Sequence, residues 1–211
     1  MSAYGCQGGD NLLDSNSREF YGLPVYHKNG GKIFILDIAN QNEDLLGLYK
    51  IFEFIIEEGQ TYPQESTSLK EFRNYFYSHK TFVVRIRKQE VVSQLKDDED
   101  DLMIDQEVIA GFYIKPNFPG RSSHLANYGL IVDQKFRGLG IGNFMVENCI
   151  CLARKLNFRA LYTNLVYETN VASINICKRY GFEQVGRIPV GGYLKEKGFV
   201  PALQFYKDLV V

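Results

Sequence analysis

Arg137-Gly138-Leu139-Gly140-Ile141-Gly142 is the stretch that decides the fold. The apolar segment Tyr128-Gly129-Leu130-Ile131-Val132 runs ahead of it, and the amphipathic segment Asn143 to Leu156 follows. This is a strand, a glycine-rich turn and a helix start. Such a turn aims several backbone N–H groups at one point, where the helix dipole favours an anion. Its glycines let the backbone approach a phosphate with no Cβ in the way. A phosphorylated cofactor is therefore expected at residues 137–142.

Outward from this loop the chain alternates strand and helix signals. Upstream, Lys32 to Ala39 reads as a strand. Asn42 to Glu58 reads as a helix with Leu45, Leu48, Tyr49, Phe52, Ile55 and Ile56 on one stripe, capped by Asn42 and stopped by Gly59. Ser66 to Tyr77 reads as a second helix. Thr81 to Arg87, Val108 to Ile114 and Leu125 to Val132 read as strands. Downstream, Ile141, Met145, Cys149, Leu152 and Leu156 recur at helical spacing as core positions. Arg159 to Val166 is a strand, and a helix capped by Asn170 runs through Tyr180 to Gly181. Phe182 to Ile188 and Pro201 to Leu209 supply two last strands, with Gly191-Gly192 expected in the loop between them. The order β-α-α-β-β-β-α-β-α-β-β makes a mixed α/β sheet of about seven strands and about four helices. Residues 1–31 read as a polar, partly flexible N-terminal extension to one domain spanning 32–211.

Composition narrows the function classes. The 211 residues are 45% hydrophobic, enough for one well-packed domain. A formal net charge of −1 argues against a non-specific grip on nucleic acid. The four cysteines, Cys6, Cys149, Cys151 and Cys177, form no Cys-x-x-Cys pair, so neither a metal centre nor a disulfide framework is expected. No apolar run approaches the ~18 residues of a membrane span, and the first residues show no basic-then-apolar pattern, so no signal peptide is expected. An intracellular protein is expected, cytoplasmic first, with mitochondrion and nucleus left open. The acidic run Lys96 to Asp101 reads as a solvated connection between strands, or as a docking surface for a basic partner.

Three phosphate-loop chemistries compete for residues 137–142. A Walker A loop needs a Lys-Ser or Lys-Thr after its glycines, and none follows. A dinucleotide fold needs Gly-x-Gly-x-x-Gly and an acid about 20 residues on, whereas the spacing here is Gly-x-Gly-x-Gly and the next strand ends in Thr-Asn-Leu-Val. The third is a pyrophosphate loop of the form Arg/Gln-x-x-Gly-x-Gly/Ala, which Arg137-x-x-Gly140-x-Gly142 fits. Together with Asn170-x-x-Ser173 and Tyr180-Gly181-Phe182 downstream, it makes the chain resemble the GCN5-related N-acetyltransferases (GNAT). A narrower resemblance lies in Thr61-Tyr62-Pro63-Gln64, Phe112 to Asn117, Arg121-x-Ser123-His124, Asn127, Asn164-Leu165-Val166 and Thr169-Asn170-x-Ala172-Ser173. These pieces are similar to fungal N-acetyltransferases acting on proline analogues such as azetidine-2-carboxylate. The complete glycine loop and a tyrosine at 180 are closer to the general family.

The resemblance implies a GNAT fold, with the sheet splayed between Tyr128–Val132 and Arg159–Val166 and acetyl-CoA in the opening. The pantetheine arm would pair with the backbone of Leu130, Ile131 and Val132. The pyrophosphate would sit on the amides of Arg137, Gly138, Leu139, Gly140, Ile141 and Gly142, with Asn170 and Ser173 beside it. A direct attack by the acceptor amine needs no nucleophilic residue and no metal, in keeping with a chain that shows no convincing Ser-His-Asp or Cys-His set. Tyr180 is the expected general acid; an aromatic packing role at a helix end is the alternative. The narrower resemblance assigns Asn127, Asn164 and Asn170 to a small amino or imino acid acceptor and implies a homodimer. Asn127 and Asn170 are expected at the reacting centre. Arg121 is expected either to pair with the acceptor carboxylate or to sit in a surface ion pair. No general base is evident; His124 and Glu168 are the nearest titratable groups. Acetylation of a protein or polyamine, and a non-catalytic acyl-CoA-binding regulatory module, are the alternative functions.

Overall fold

The structure, a computed structural model, describes residues 15–87 and 106–210. The acidic run at 96–101 and Cys6 lie outside them. Eight strands form one sheet in the order β1-β2-β3-β4-β5-β6-β8-β7. The strands are β1 Val25–Asn29, β2 Lys32–Ile38, β3 Lys80–Arg87, β4 Gln106–Pro116, β5 Leu125–Val132, β6 Ala160–Tyr167, β7 Glu183–Leu194 and β8 Gly198–Asp208. The β5–β6 pair is parallel and the other pairs are antiparallel. The helices are α1 Ser15–Tyr21, α2 Gln41–Glu58, α3 Leu69–Phe76, α4 Ile141–Lys155 and α5 Val171–Arg179. The mixed α/β architecture thus stands, with one more strand and one more helix than expected. Both additions lie in the segment grouped above with the N-terminal extension: β1 is the edge strand beside β2, and α1 is tied to it by an Arg18–Asp37 ion pair at 2.7 Å.

Two hydrophobic layers sandwich the sheet. On one face Phe34, Phe82, Phe112, Met145, Cys149 and Leu152 pack α4 against the central strands. On the other, Phe52, Ile55, Phe72, Phe76, Val83 and Tyr113 pack α2 and α3. Phe82 and Val84 face one layer and Val83 the other, so β3 is buried on both sides and reads as a continuous apolar run.

Local chemistry sets the helix ends. Asn40, not Asn42, caps α2; its side chain accepts from the Asn42 N–H, and the helix starts at Gln41. Gly59 at φ 63 closes it in the left-handed region that glycine tolerates. Ser68 and Glu71 form a reciprocal capping box on α3. Asp44 is buried in α2 and takes a bidentate pair from Arg85 at 3.0 and 2.6 Å. Burial pushes its carboxyl above the ordinary range despite that partner.

The expected loop at Gly191-Gly192 is a correction. Both residues lie inside β7, and the turn comes at residues 195–197. A Cβ at 192 would collide with the Tyr167 ring and one at 191 with Ala202. Those glycines serve close packing against β8 and β6, a use that looks like a turn signal in sequence.

Candidate active site

β5 and β6 stay together only over Leu125–Asn127 and Ala160–Tyr162. Beyond that point β5 continues beside β4, while β6 leans to β8. Between Thr163 and Val166, opposite Phe205 and Leu203, β6 carries one extra residue. Such a bulge re-aims the local side chains, and it holds Asn164. The splay anticipated between these strands is therefore present, and a cleft of about 860 Å³ fills it.

At one end of the cleft lies the glycine loop. Asp133 accepts from the Lys135 N–H and turns the chain through a short 3-10 segment, Gln134–Phe136. Gly138 and Gly140 follow at φ 80 and 79, where a side chain would be strained. Gly140 is the N-cap of α4, and it supplies no side-chain hydrogen bond to the first-turn amides. Those amides and the helix dipole point at the cleft mouth and suit a phosphate group. Gly142 lets α5 approach, since a Cβ there would stand 3.1 Å from Ile176 Cδ1. Arg137 lies across the mouth and is gripped bidentately by Glu58, at 2.8 and 2.6 Å. Ile131 faces the α2–α3 layer and Leu139 offers its carbonyl to Asn29 Nδ2 at 2.9 Å, so neither lines the cleft with its side chain. Leu130 and Val132 do.

The other end is lined by tyrosines and carboxamides. The Tyr75 and Tyr113 hydroxyls are 2.8 Å apart, and Tyr113 donates to Asn127 Oδ1 at 3.1 Å. Asn127 Nδ2 donates to the Tyr162 carbonyl at 3.1 Å, which pins the amide at the fork of the splay. Asn164 and Asn117 exchange reciprocal amide hydrogen bonds at 2.6 and 3.3 Å. Asn170 caps α5, accepting from the Ser173 N–H at 3.1 Å. The three asparagines singled out in the sequence thus converge on one cleft, together with Ser173.

Tyr180 does not join them. It is the C-cap of α5 and lies against the first turn of α4, where its hydroxyl donates to the Asn143 carbonyl at 3.1 Å. It lines a separate surface pocket with His27 and Lys28. Motif spacing fixes its place along the helix but not the side it faces. Among the residues that line the cleft there, Tyr128 and Cys177 bring a hydroxyl and a thiol to 4.0 Å of each other. Burial raises the Tyr128 phenol well above its ordinary value and pushes the Cys177 thiol up to about 11.

Of the two expectations for Arg121, its position agrees with a surface one: it is exposed on the Gly120–Ser122 turn and lines no part of the cleft. His124 is exposed outside it, and Glu168 is engaged by Arg187 at 2.6 Å, which lowers its carboxyl. Sequence reasoning gave no role to Glu58, Tyr75, Tyr113, Lys115 or Asn117. Phe112 to Asn117 had entered only as a point of resemblance. Among the described residues no group of three His, Cys, Asp or Glu side chains is placed to hold a metal ion, and no helix is long and apolar enough to cross a membrane.

The chain is similar to proteins with this geometry. Residues 56–182 match the model of the acetyltransferase (GNAT) family. The N-acetyltransferase aca1 of Schizosaccharomyces pombe is 32% identical over 170 residues, covering 79% of this chain and 80% of that one. In fold, a GCN5-related N-acetyltransferase from Kribbella flavida superposes at a TM-score of 0.70 with 22% identity, covering 83% of this chain and 97% of that one. A phosphinothricin acetyltransferase from Sinorhizobium meliloti, solved in complex with acetyl-CoA, does so at 0.63 with 20% identity, covering 82% and 86%. The family match begins at the end of α2 and closes at Phe182, so it takes in the splay, the glycine loop and both ends of the cleft: the chain belongs to the GNAT acetyltransferase family and is an acetyl-CoA-dependent N-acetyltransferase.

Proposed function

We propose that this enzyme transfers the acetyl group of acetyl-CoA to the amine of a small amino or imino acid of the proline-analogue kind. One observation carries this reading. The cleft holds a glycine loop suited to an anion at one end and a set of carboxamides and tyrosines at the other, with the unpaired edge of β5 between them. The similarity to an N-acetyltransferase of Schizosaccharomyces pombe supports the transfer to an amine.

In this account the amides of residues 137–142 and the Arg137 guanidinium hold the pyrophosphate, with Asn170 and Ser173 alongside. The backbone of Leu130, Ile131 and Val132 takes the pantetheine arm as an added strand. Asn127, Asn164 and Asn170 hold the acceptor. The lone pair of the neutral amine attacks the thioester carbonyl carbon; the C–N bond forms, the C–S bond breaks, and its electron pair leaves on sulfur. A β5 backbone N–H stabilises the oxyanion, a contribution of about 3 kcal/mol for one such donor. Tyr128, protonated at neutral pH beside Cys177, replaces Tyr180 as the proton donor to the departing sulfur. With His124 and Glu168 outside the cleft, the amine surrenders its proton to water.

The exposed side chains of Val190, Tyr193 and Phe199 on the β7–β8 hairpin give a second copy an apolar face, in support of a homodimer; sedimentation equilibrium tests this. Release of the CoA thiol on adding azetidine-2-carboxylate or 4-hydroxyproline tests the main reading. Release with spermidine or a histone peptide alone refutes it.

A further inference from the structure

The cationic side chains lining the donor end of the cleft are Arg137 and Arg179. Among the described lining residues, the acceptor end has one, Lys115. It is 5% exposed. Its ammonium stands 3.9 Å from the centroid of the Tyr75 ring and 4.2 Å from that of Tyr113, and donates to the Tyr75 carbonyl at 3.1 Å. Taking an ammonium out of water is costly, and two π faces and a carbonyl are among the contacts that offset the cost. A cation held in this way attracts an anion and repels a second cation.

Gln64 lies at the same end. It follows Tyr62, and Tyr62 and Tyr75 pack on the same ring, Phe52, at 4.9 and 6.0 Å. Gln64 Oε1 is buried with no hydrogen-bond partner, although the residue lines the cleft. A buried carbonyl oxygen left without a donor calls for an N–H from something that enters. A molecule with an N–H and a carboxylate on adjacent atoms answers both groups at once.

We propose that Lys115 and Gln64 form the recognition pair for the acceptor, Lys115 taking its carboxylate and Gln64 Oε1 an N–H of its amine. The inference rests on the reading that this end of the cleft receives a small amine. It gives the carboxylate the partner that Arg121 cannot supply. It also sets the enzyme against polyamines and basic peptides, whose charge Lys115 repels.

The test is ligand-observed NMR titration of the CoA-loaded protein with azetidine-2-carboxylate and with azetidine-2-carboxamide. Wild type binds the acid more tightly than the amide. Lys115→Met weakens the acid about tenfold to a hundredfold, as expected for a lost charge-assisted hydrogen bond, and leaves the amide close to wild type. Gln64→Met weakens both ligands while its Tm holds or rises, because an orphaned buried oxygen is gone. Equal losses for acid and amide in Lys115→Met overturn the proposal, as does unchanged affinity in Gln64→Met. If Lys115→Met fails to fold, Gln64→Met and the acid-over-amide preference of wild type decide. Turnover is scored separately. Tight, Lys115-dependent binding of the acid without acetylated product refutes the proposed reaction and leaves the recognition pair standing, whereas no binding of the acid overturns the pair.

Discussion

Gly129→Ala adds one methyl group at the junction of donor and acceptor sites. A Cβ at 129 would stand 2.6 Å from Tyr113 Cε1 and 2.7 Å from its Cζ and hydroxyl. The Tyr113 ring must therefore retreat by roughly 1 Å to reach ordinary contact distance. Its neighbours resist this: Tyr113 is 3% exposed, with Tyr75 and Phe76 packed edge-on at 5.4 and 5.2 Å. The retreat breaks the hydroxyl's bonds to Tyr75 and Asn127, each worth about 1 kcal/mol net. Overpacking adds about 1–3 kcal/mol. A loss of about 3–5 kcal/mol corresponds to a fall in Tm of roughly 6–20 °C for a chain of this size. In function, Asn127 loses the donor that fixes its amide, so KM for the acceptor rises about tenfold, the cost of one hydrogen bond. KM for acetyl-CoA stays near wild type, because the glycine loop is at the other end of the cleft. Differential scanning calorimetry and steady-state kinetics measure both. A variant with wild-type Tm and wild-type acceptor KM would refute the placement of Tyr113 and the role given to Asn127.

Other perturbations separate donor, proton and fold. Tyr128→Phe should lower kcat by more than tenfold with little change in KM for acetyl-CoA, whereas Tyr180→Phe should cost about 1 kcal/mol of stability, its lost bond to the Asn143 carbonyl, and leave kcat near wild type; the reverse pattern would return the acid role to Tyr180. Glu58→Gln should tighten CoA binding a few-fold, since it removes an anion that competes for Arg137, while stability moves by less than about 1 kcal/mol because the pair is part-exposed; weaker binding in calorimetric titration would contradict this. Burial, and then the nearby Lys80 charge, hold the His79 imidazole below its ordinary value. The unfolded chain therefore binds more protons at mildly acid pH, and the stability from neutral His79 is lost as pH falls below about 6.5. Urea titrations of His79→Gln should show a flatter loss of stability over that range; an unchanged slope would remove His79 from the pH dependence.

Much of the glycine-loop end of the cleft was legible in the sequence because its parts are local. Gly138 and Gly140 are needed for their own backbone angles, and Asn170 caps the helix it starts. Such features carry their physics within a few residues. From β2 onward the strand pattern was equally clear, except where a residue type serves two ends. Gly191 and Gly192 resemble a turn but make room for Ala202 and Tyr167, which are distant in sequence. Tyr180 illustrates a second limit. Its distance from Asn170 follows from the motif, but whether the ring faces the cleft or α4 depends on the packing of α5. The acceptor end was the least legible part. Lys115, Gln64, Tyr75 and Tyr113 come from the α2–α3 connection, α3 and β4, and only the folded sheet brings them together. The Arg137–Glu58 pair likewise joins residues that no local pattern connects.

The central claim is that the glycine loop and the asparagine-lined end serve one reaction, N-acetylation of a small amino or imino acid. The most direct measurement is product analysis by mass spectrometry after one incubation with acetyl-CoA and an equimolar mixture of azetidine-2-carboxylate, 4-hydroxyproline, spermidine and a histone peptide. The account predicts acetyl groups on the nitrogens of the cyclic acids, and loss of that product in Asn164→Ala. Acetylated spermidine or peptide, with the cyclic acids untouched, would contradict it.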